Sequence, residues 1–158
     1  RHTRYIGDWS SDVCSSDLAP AGGGTTDYAV DIFHAALENG HYDCFVCADT
    51  RLPMMYMEDA IRATIALMDA PVESIGDSRG GYNLSGCSFT AAEIADAVAA
   101  RVPGFTCDFK PDVRQEYADS WPDSVDDSAA KQDWGWKAEY DLGALCDAMI
   151  SGIQSSSI

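Results

Sequence analysis

The segment GGGTTD, from Gly22 to Asp27, combines residue types that could bind a small anionic ligand. Its glycines allow close approach of the backbone, and Thr25 and Thr26 add hydroxyl groups. The apolar spacing that follows predicts a helix, whose first amides are unpaired and lie at the positive end of the helix dipole. The segment therefore indicates a site for a carboxylate or a phosphate. A plain capping turn, with Asp27 at the helix start, is the alternative that the spacing leaves open.

A second candidate is Trp121, in the segment Asp-Ser-Trp-Pro that ends at Pro122. A large aromatic side chain in a loop stiffened by proline could line a pocket and exclude water. Packing of Trp121 into the core is the alternative, because aromatic side chains dominate protein cores.

The other reactive side chains give weaker signals. Cys44 and Cys47 form a C-x-x-C pair, but these positions face opposite sides of a strand and no second pair completes a zinc site. We interpret them as structural thiols and expect no metal site. His34 is interpreted as a packing or surface residue. Arg51 and Arg114 could bind a carboxylate, although salt bridges to acidic neighbours are the favoured interpretation.

Motifs for cofactor binding and catalysis are missing from this sequence. It contains neither the G-x-G-x-x-G fingerprint of dinucleotide-binding folds nor a phosphate-binding P-loop. No tyrosine is followed, four positions later, by a lysine that could activate it for proton transfer. We therefore predict no catalytic and no cofactor-binding residue in this chain.

Helical and strand-like segments alternate along the chain, which predicts an α/β fold. Helix starts are predicted near Asp27, Asp59, Thr90, Asp127 and Asp141, and short strands at Tyr42–Cys47, Leu52–Met57, Gly81–Gly86 and Phe105–Phe109. A capping box is predicted at Thr90 and Glu93. Lys110–Ser124 is predicted to be a loop. The helix after Asp59 should carry Ile61, Ile65 and Met68 on one face.

Composition excludes several classes of protein. The 158 residues suit one domain, and no apolar run approaches the ~20 residues that a membrane span needs. Ten Lys and Arg residues against 26 Asp and Glu residues give a net charge of −16. A nucleic-acid interface or a polybasic membrane surface is therefore not expected.

Residues 1–18, RHTRYIGDWSSDVCSSDL, differ from the rest of the chain because they show neither helical nor strand periodicity. The string resembles a translated sequencing adapter. We therefore expect residues 1–18 to be an artefactual, disordered segment that is set aside in reasoning about the fold. Residues 19–158 are then the genuine protein.

Four segments carry a resemblance to a known family: GGGTTDYAV from Gly22, TRLPMMYMEDAIRATI from Thr50, YNLSGCSFTAAEIA from Tyr82, and ADSWPDSVDDSAAKQDWGWKAEYDL from Ala118. Together they resemble the C-terminal half of short-chain-type L-threonine 3-dehydrogenases. These enzymes are extended short-chain dehydrogenase/reductases of the NAD-dependent epimerase/dehydratase superfamily. The resemblance runs to about Met149 without large gaps.

The resemblance implies a parent enzyme that oxidises L-threonine to 2-amino-3-ketobutyrate with NAD as cofactor. A tyrosine next to a lysine would remove the hydroxyl proton while hydride passes to the nicotinamide. Those groups would precede this chain, so residues 19–158 would form the substrate-binding lobe and the last sheet elements of a Rossmann-type fold. The parent is expected to be a homodimer, mitochondrial if animal-like and otherwise cytoplasmic.

The resemblance also implies roles for individual residues. Gly24, Thr25 and Thr26 match the family's substrate-binding segment, and Thr26 is favoured as the residue whose hydroxyl contacts substrate, with Thr25 kept open. Trp121 matches the family's Trp-Pro tryptophan, which closes over the substrate and excludes water. Asp27 is expected to cap the helix.

Two other functions stay open. The chain could come from an extended dehydrogenase or epimerase acting on a nucleotide sugar, although few basic residues are available for a diphosphate. It could also be a non-catalytic module that binds amino acids or a protein partner. Alone, the chain is predicted to be inactive. It is also predicted to be marginally stable, because the strand at Gly81–Gly86 would lack neighbours.

Overall fold

The computed structural model describes residues 23–75 and 81–156, so the prediction for residues 1–18 lies outside the described residues. The helices are α1 (Tyr28–Glu38), α2 (Met57–Asp69), α3 (Ala91–Ala99), α4 (Arg114–Ala118), α5 (Ser128–Trp134) and α6 (Leu142–Ser156). The strands are β1 (His41–Cys44), β2 (Arg51–Met54), β3 (Cys87–Thr90) and β4 (Thr106–Phe109). The predicted α/β class is confirmed.

The strands form two small sheets. β1 pairs in parallel with β4, with His41 opposite Thr106 and Cys44 opposite Phe109. β2 pairs antiparallel with β3, with Arg51 opposite Thr90. Because β3 runs directly into α3, the second sheet fixes where that helix begins.

The main hydrophobic core lies between both sheets and the helices α1, α3 and α6. Its fully buried side chains include Phe33, Leu52, Phe89, Ile94 and Met149. These helices bury the apolar faces that their sequence spacing predicts, and this burial supplies the main driving force for folding.

Local signals for helix ends are confirmed. Thr90 Oγ1 accepts a hydrogen bond from the Glu93 amide at 3.1 Å, and Glu93 Oε2 accepts one from the Thr90 amide at 2.7 Å. This is the predicted capping box. Gly135 ends α5 with φ of 75°, a left-handed conformation that glycine adopts without strain. Asp141 Oδ1 accepts a hydrogen bond from Ala144 at the start of α6.

A second, smaller core joins α2 to α5 and contains Met55, Ala63, Ala130 and Trp136. Asp59 is fully buried beside it, although it lies in the first turn of α2 and not before the helix. Asp59 accepts hydrogen bonds from two backbone amides just after Trp136 and pairs with an arginine on its own helix. It therefore fastens the chain before α6 to α2.

Two predictions about these elements are wrong. Gly81–Gly86 is not a strand, because the strand that pairs with β2 is Cys87–Thr90. Lys110–Ser124 is not a continuous loop, because it contains α4. The α2 side chains Ile61, Ile65 and Met68, which the spacing places on one face, are exposed.

None of the helices in the described residues is long and apolar enough to cross a membrane.

Candidate functional site

The Gly24–Asp27 turn is closed by its own aspartate. Asp27 Oδ2 accepts hydrogen bonds from the amides of Gly23 and Gly24, both at 2.6 Å. A Cβ added at Gly24 would lie 3.1 Å from Asp27 Oδ1, so glycine lets the carboxylate approach the backbone closely. Two of the amides that the sequence offered for an anionic ligand are therefore already bound to a carboxylate within the chain.

The expected cap at Asp27 needs a correction. Asp27 does occupy the residue before α1, but its side chain makes no hydrogen bond to the first turn of that helix. It binds the two preceding glycine amides instead. The physical reason is the backbone of Asp27, which already has helical angles of −63° and −20°, whereas a capping residue needs extended angles.

Thr26 and Thr25 differ in burial. Thr26 is 5 % exposed, whereas Thr25 is half-buried. The Thr26 carbonyl accepts a hydrogen bond from Ala29 at 3.1 Å, and the next residue but one, Tyr28, is fully buried in the main core. The backbone position of Thr26 is therefore set by the start of α1.

Trp121 is half-buried and packs against the main core. Its amide donates to the Ala118 carbonyl at 3.0 Å, so it sits in the turn that follows α4. The two interpretations of Trp121 are thus compatible, because part of the ring contacts the core and part is accessible.

A hydrogen-bond network around Gln115 holds α4 in place. Gln115 Oε1 accepts from the Cys47 amide at 2.7 Å and from Thr50 Oγ1 at 3.1 Å, while its Nε2 donates to Asp119 Oδ1 at 2.6 Å. The glutamine thereby ties the turn that carries Trp121 to the loop between β1 and β2. The sequence held no signal for this role, since Gln115 and Cys47 are 68 positions apart.

We expect Gln115→Ala to lower the free energy of unfolding by about 1–3 kcal/mol, because it leaves a half-buried amide and hydroxyl without an acceptor. Urea denaturation followed by circular dichroism measures the change. Gln154→Ala is the matched control, because Gln154 is exposed on α6. Equal stability of the two variants would contradict the role of Gln115.

Both candidate carboxylate-binding arginines are engaged in ion pairs. Arg114 Nη2 lies 2.6 Å from Asp112 Oδ2, and its guanidinium stacks over the Phe45 ring at 3.2 Å from the ring centre. This hydrogen-bonded pairing lowers the pKa of Asp112. Arg51 pairs with Glu93 at 2.9 Å and donates to a backbone carbonyl of β3. The favoured interpretation of both arginines as salt-bridge partners is confirmed.

The thiols form no pair within the described residues. Cys44 is buried at the end of β1, Cys47 is half-buried beyond it, and both are free. Burial raises the pKa of the Cys44 thiol, which disfavours the reactive thiolate. The interpretation of these residues as structural is consistent with that environment.

One group in the described chain has metal-ligand chemistry: His41, Asp43 and Asp108, which the parallel pairing of β1 and β4 brings to one face. His41 Nε2 lies 3.0 Å from Asp43 and 4.0 Å from Asp108. However, the Lys110 ammonium already lies 2.8 Å from both carboxylate oxygens of Asp43 and lowers its pKa. These residues are exposed, and Asp43 is already paired with Lys110, so they carry no metal assignment here.

Three tyrosines among the described residues are poorly suited to removing a proton. Burial raises the pKa of Tyr28 and of Tyr42 well above the ordinary value, and a hydrogen bond from Tyr140 to Glu58 raises the pKa of Tyr140 to about 12. A tyrosine that acts as a base near neutral pH needs the opposite shift. The three phenols thus agree with the absence of a Tyr-x-x-x-Lys pair.

The chain matches known proteins over most of its length. It is 50 % identical over 152 residues to a mitochondrial L-threonine 3-dehydrogenase of Bos taurus, covering 96 % of this chain and 39 % of that protein. It is 43 % identical over 140 residues to an uncharacterised epimerase/dehydratase of Staphylococcus haemolyticus, covering 88 % of this chain and 44 % of that protein. No family model matches the chain.

Solved structures give the same result. The apo form of a GalE-like L-threonine dehydrogenase from Cupriavidus necator superposes with a TM-score of 0.83 at 55 % identity, covering 87 % of this chain and 49 % of that one. A nucleoside-diphosphate-sugar epimerase from Agrobacterium tumefaciens has a TM-score of 0.77 at 16 % identity, which shows a shared fold alone. The chain thus spans less than half the length of the relatives it matches.

The fold therefore defines the class: this chain is homologous to the C-terminal part of Rossmann-type extended short-chain dehydrogenase/reductases. Within that class, its homologues are named as L-threonine 3-dehydrogenases and as epimerase/dehydratases, at 43–50 % identity. The resemblance drawn from the sequence motifs is confirmed.

Proposed function

We propose that this chain supplies the substrate-binding lobe of an enzyme that oxidises L-threonine to 2-amino-3-ketobutyrate with NAD. The similarity to the Cupriavidus necator dehydrogenase, at 55 % identity and a TM-score of 0.83, carries this proposal. Identity of that order over 87 % of the chain is far above the 16 % that supports a fold alone.

The chemistry at the substrate hydroxyl would be supplied by the other half of the enzyme. That half would hold NAD, which would supply the hydride acceptor, and it would also supply the base that removes the proton. At the Gly24–Asp27 turn, Asp27 already binds the amides of Gly23 and Gly24, so these two amides are not available to a pyrophosphate. We therefore assign neither cofactor binding nor catalysis to this chain.

Binding and shielding of threonine would fall to Gly24, Thr25, Thr26 and Trp121. Thr26 would hold a polar group of the amino acid through its hydroxyl, from a buried position at the start of α1. Trp121 would cover the substrate and exclude water, which strengthens polar contacts at the reacting carbon. The Gln115 network would position Trp121 by holding α4.

A nucleotide sugar is disfavoured as substrate. A diphosphate is bound best by free arginines, which can form paired hydrogen bonds with its oxygens. Within the described ranges, Arg51, Arg62, Arg101 and Arg114 are all in ion pairs with acidic residues. This pairing favours the smaller amino-acid substrate.

The assembly would be a homodimer of the complete enzyme. An animal-like enzyme would be mitochondrial, which is the location in the name of the Bos taurus relative. An enzyme of another source would be cytoplasmic. We also propose that the genuine protein is residues 19–158 and that residues 1–18 are an artefactual segment.

A complementation experiment tests the proposed function. The chain is mixed with the part of the Cupriavidus necator dehydrogenase that precedes its matching half, and NADH formation is followed. We expect NADH only when both parts and L-threonine are present, with or without residues 1–18. L-allo-threonine, inverted at the reacting carbon, is the substrate control. NADH from the chain alone, or an assembled complex that ignores L-threonine, would contradict the proposal.

A further inference from the structure

Phe45 lies between the two segments that carry the candidate substrate-binding residues. It follows β1 directly, and it is buried in the main core. Its ring contacts a residue of α1 and also a residue of α4. The helix α1 begins two positions after Thr26, and the turn that follows α4 carries Trp121.

The contact with α1 is made by Tyr28, the first residue of that helix. The rings of Tyr28 and Phe45 meet edge to face, with centres 6.1 Å apart and an angle of 85° between their planes. Tyr28 is fully buried, so its ring has little room to move. The amide of the next residue, Ala29, donates to the Thr26 carbonyl at 3.1 Å. The position of the Tyr28 ring therefore constrains the backbone of Thr26.

The contact with α4 is made by Arg114, the first residue of that helix. Its guanidinium lies 3.2 Å from the centre of the Phe45 ring and is paired with Asp112 at 2.6 Å. The Asp112 amide donates to the Phe45 carbonyl at 3.1 Å. An arginine that stacks on an aromatic ring gains from cation–π attraction and keeps a defined orientation. The backbone and the side chain of Phe45 are thus both connected to the start of α4.

The path from Arg114 to Trp121 is short. The helix α4 has five residues, Arg114–Ala118, and the Trp121 amide donates to the Ala118 carbonyl at 3.0 Å. Backbone hydrogen bonds of helical type connect these residues, so a shift of Arg114 displaces the turn that carries Trp121. Trp121 itself packs against the core that contains Phe45.

We propose that Phe45 is a positioning residue of the threonine site, whose ring fixes the segment of Thr26 relative to the segment of Trp121. This inference rests on the proposed function, because it concerns the two segments that would bind threonine. A substrate held between a polar contact and an aromatic cover needs both in place at once, and a misplacement of about 1 Å costs a large factor in rate. The Gln115 network fastens α4 to the β1–β2 loop, and Phe45 extends that attachment to α1.

Fluorine NMR of the full chain tests the connection without the other half of the enzyme. The four tryptophans are labelled as 5-fluorotryptophan, and the signal missing from Trp121→Phe is that of Trp121. The change of each signal between H₂O and D₂O measures how far water reaches that ring. We expect Phe45→Leu and Tyr28→Leu each to increase the exposure of Trp121, because each removes one ring of the connection. The rings of Trp134 and Trp136 lie at the second core and should keep their exposure.

Tyr28→Phe is the matched control for the fluorine experiment. Among the described residues, the Tyr28 hydroxyl has no hydrogen-bond partner, so phenylalanine keeps the contact between the rings. We therefore expect the Trp121 signal of Tyr28→Phe to match that of the original chain.

Hydrogen exchange tests the connection in the opposite direction, from α4 to α1. Arg114→Met removes the stacked guanidinium and keeps a flexible apolar side chain. We expect it to speed exchange of the Ala29 amide, which is bonded to Thr26, about tenfold, because the start of α1 opens more often. Arg114 is 29 % exposed, so this test stands even where Phe45→Leu does not fold.

Arg101→Met is the matched control for the exchange experiment. Arg101 is 27 % exposed and is likewise paired with an aspartate at 2.6 Å. Its hydrogen-bond partners lie on α3 and α6. We therefore expect Arg101→Met to leave exchange of the Ala29 amide unchanged.

Activity of the complemented enzyme separates positioning from a loss of folded protein. Phe45→Leu should reduce kcat/KM for L-threonine about 5- to 10-fold, because the substrate contacts are misplaced. If Phe45 acts through Thr26, the double variant of Phe45→Leu and Thr26→Val should lose less than the product of the two single losses. A change that only lowers the folded fraction would multiply with the loss at Thr26 in full.

Three results would overturn the proposal. One is an unchanged exposure of Trp121 in both leucine variants, and another is an equal rise in exposure of Trp121, Trp134 and Trp136, which indicates general loosening. The third is equal exchange of the Ala29 amide in the Arg114→Met and Arg101→Met chains.

The failure of this inference is distinguishable from that of the proposed function. If the complemented enzyme oxidises threonine but the double variant loses the full product, the function stands and the positioning role of Phe45 is wrong. If the fluorine and exchange results hold but the complemented enzyme ignores L-threonine, the connection through Phe45 stands and the proposed function is wrong.

Discussion

Replacing Asp59 by alanine is expected to lower the free energy of unfolding by about 2–4 kcal/mol. The Asp59 side chain is fully buried, and its carboxylate accepts hydrogen bonds from the amides of Glu139 and Tyr140, each at 3.1 Å. It also lies 2.5 Å from Arg62 Nη2. Alanine would leave two amides without an acceptor in a place that water reaches poorly, and that desolvation accounts for most of the loss. The Arg62 guanidinium is 37 % exposed, so hydration limits its own penalty.

Urea denaturation of the Asp59→Ala chain measures this effect. Asp69→Ala is the matched control, because Asp69 is an exposed aspartate on the same helix, at its end. Asp59→Asn keeps one acceptor oxygen and should fall between the two. A loss below about 1 kcal/mol for Asp59→Ala would mean that the segment before α6 is held to α2 by other contacts.

Replacing Thr26 by valine is expected to reduce kcat/KM for L-threonine in the complemented enzyme about 10- to 100-fold. A hydrogen bond between a hydroxyl and a charged group is worth about 1.5–3 kcal/mol, which corresponds to that range of rates. Valine matches the shape of threonine, so the buried site, 5 % exposed, should keep its packing. The change therefore removes the hydroxyl and little else.

Steady-state NADH formation measures the change, and two variants interpret it. Thr26→Ser retains the hydroxyl and should keep most of the activity. Thr25→Val tests the neighbouring candidate, which is half-buried and should have the smaller effect. A larger loss from Thr25→Val would transfer the role to Thr25, and full activity of Thr26→Val would exclude Thr26 from substrate binding.

Structural features that depend on residues only a few positions apart were predictable from the sequence. The capping box of Thr90 and Glu93, the glycine end of α5 at Gly135 and the cap at Asp141 all depend on neighbours three or four positions away. The alternation of helices and strands, and thus the α/β class, follows from hydrophobic periodicity of the same short range. The resemblance to a known family rested on its sequence motifs, and it is confirmed.

Gly81–Gly86 shows where local pattern fails. Its composition is typical of a strand, but strand formation requires a partner, and within the described residues β2 pairs with Cys87–Thr90 instead. In α2 the spacing places Ile61, Ile65 and Met68 on one face, and the described residues leave that face exposed. In both places the sequence pattern is local, whereas the residues that pack against the segment are decided by the tertiary structure.

The sequence by itself determined the class of fold, the helix ends and the candidate residues Gly24, Thr25, Thr26 and Trp121. Tertiary structure decided which groups are available to a ligand, because hydrogen bonding depends on contacts between distant segments. Asp27 accepts hydrogen bonds from the amides of Gly23 and Gly24. Gln115 accepts one from an amide of the β1–β2 loop, 68 positions away in sequence. Asp59 met the amide of Glu139 across 80 positions. Hydrogen bonds between distant residues leave no periodic pattern in the sequence, since they form only when the packing of helices and strands brings those residues together.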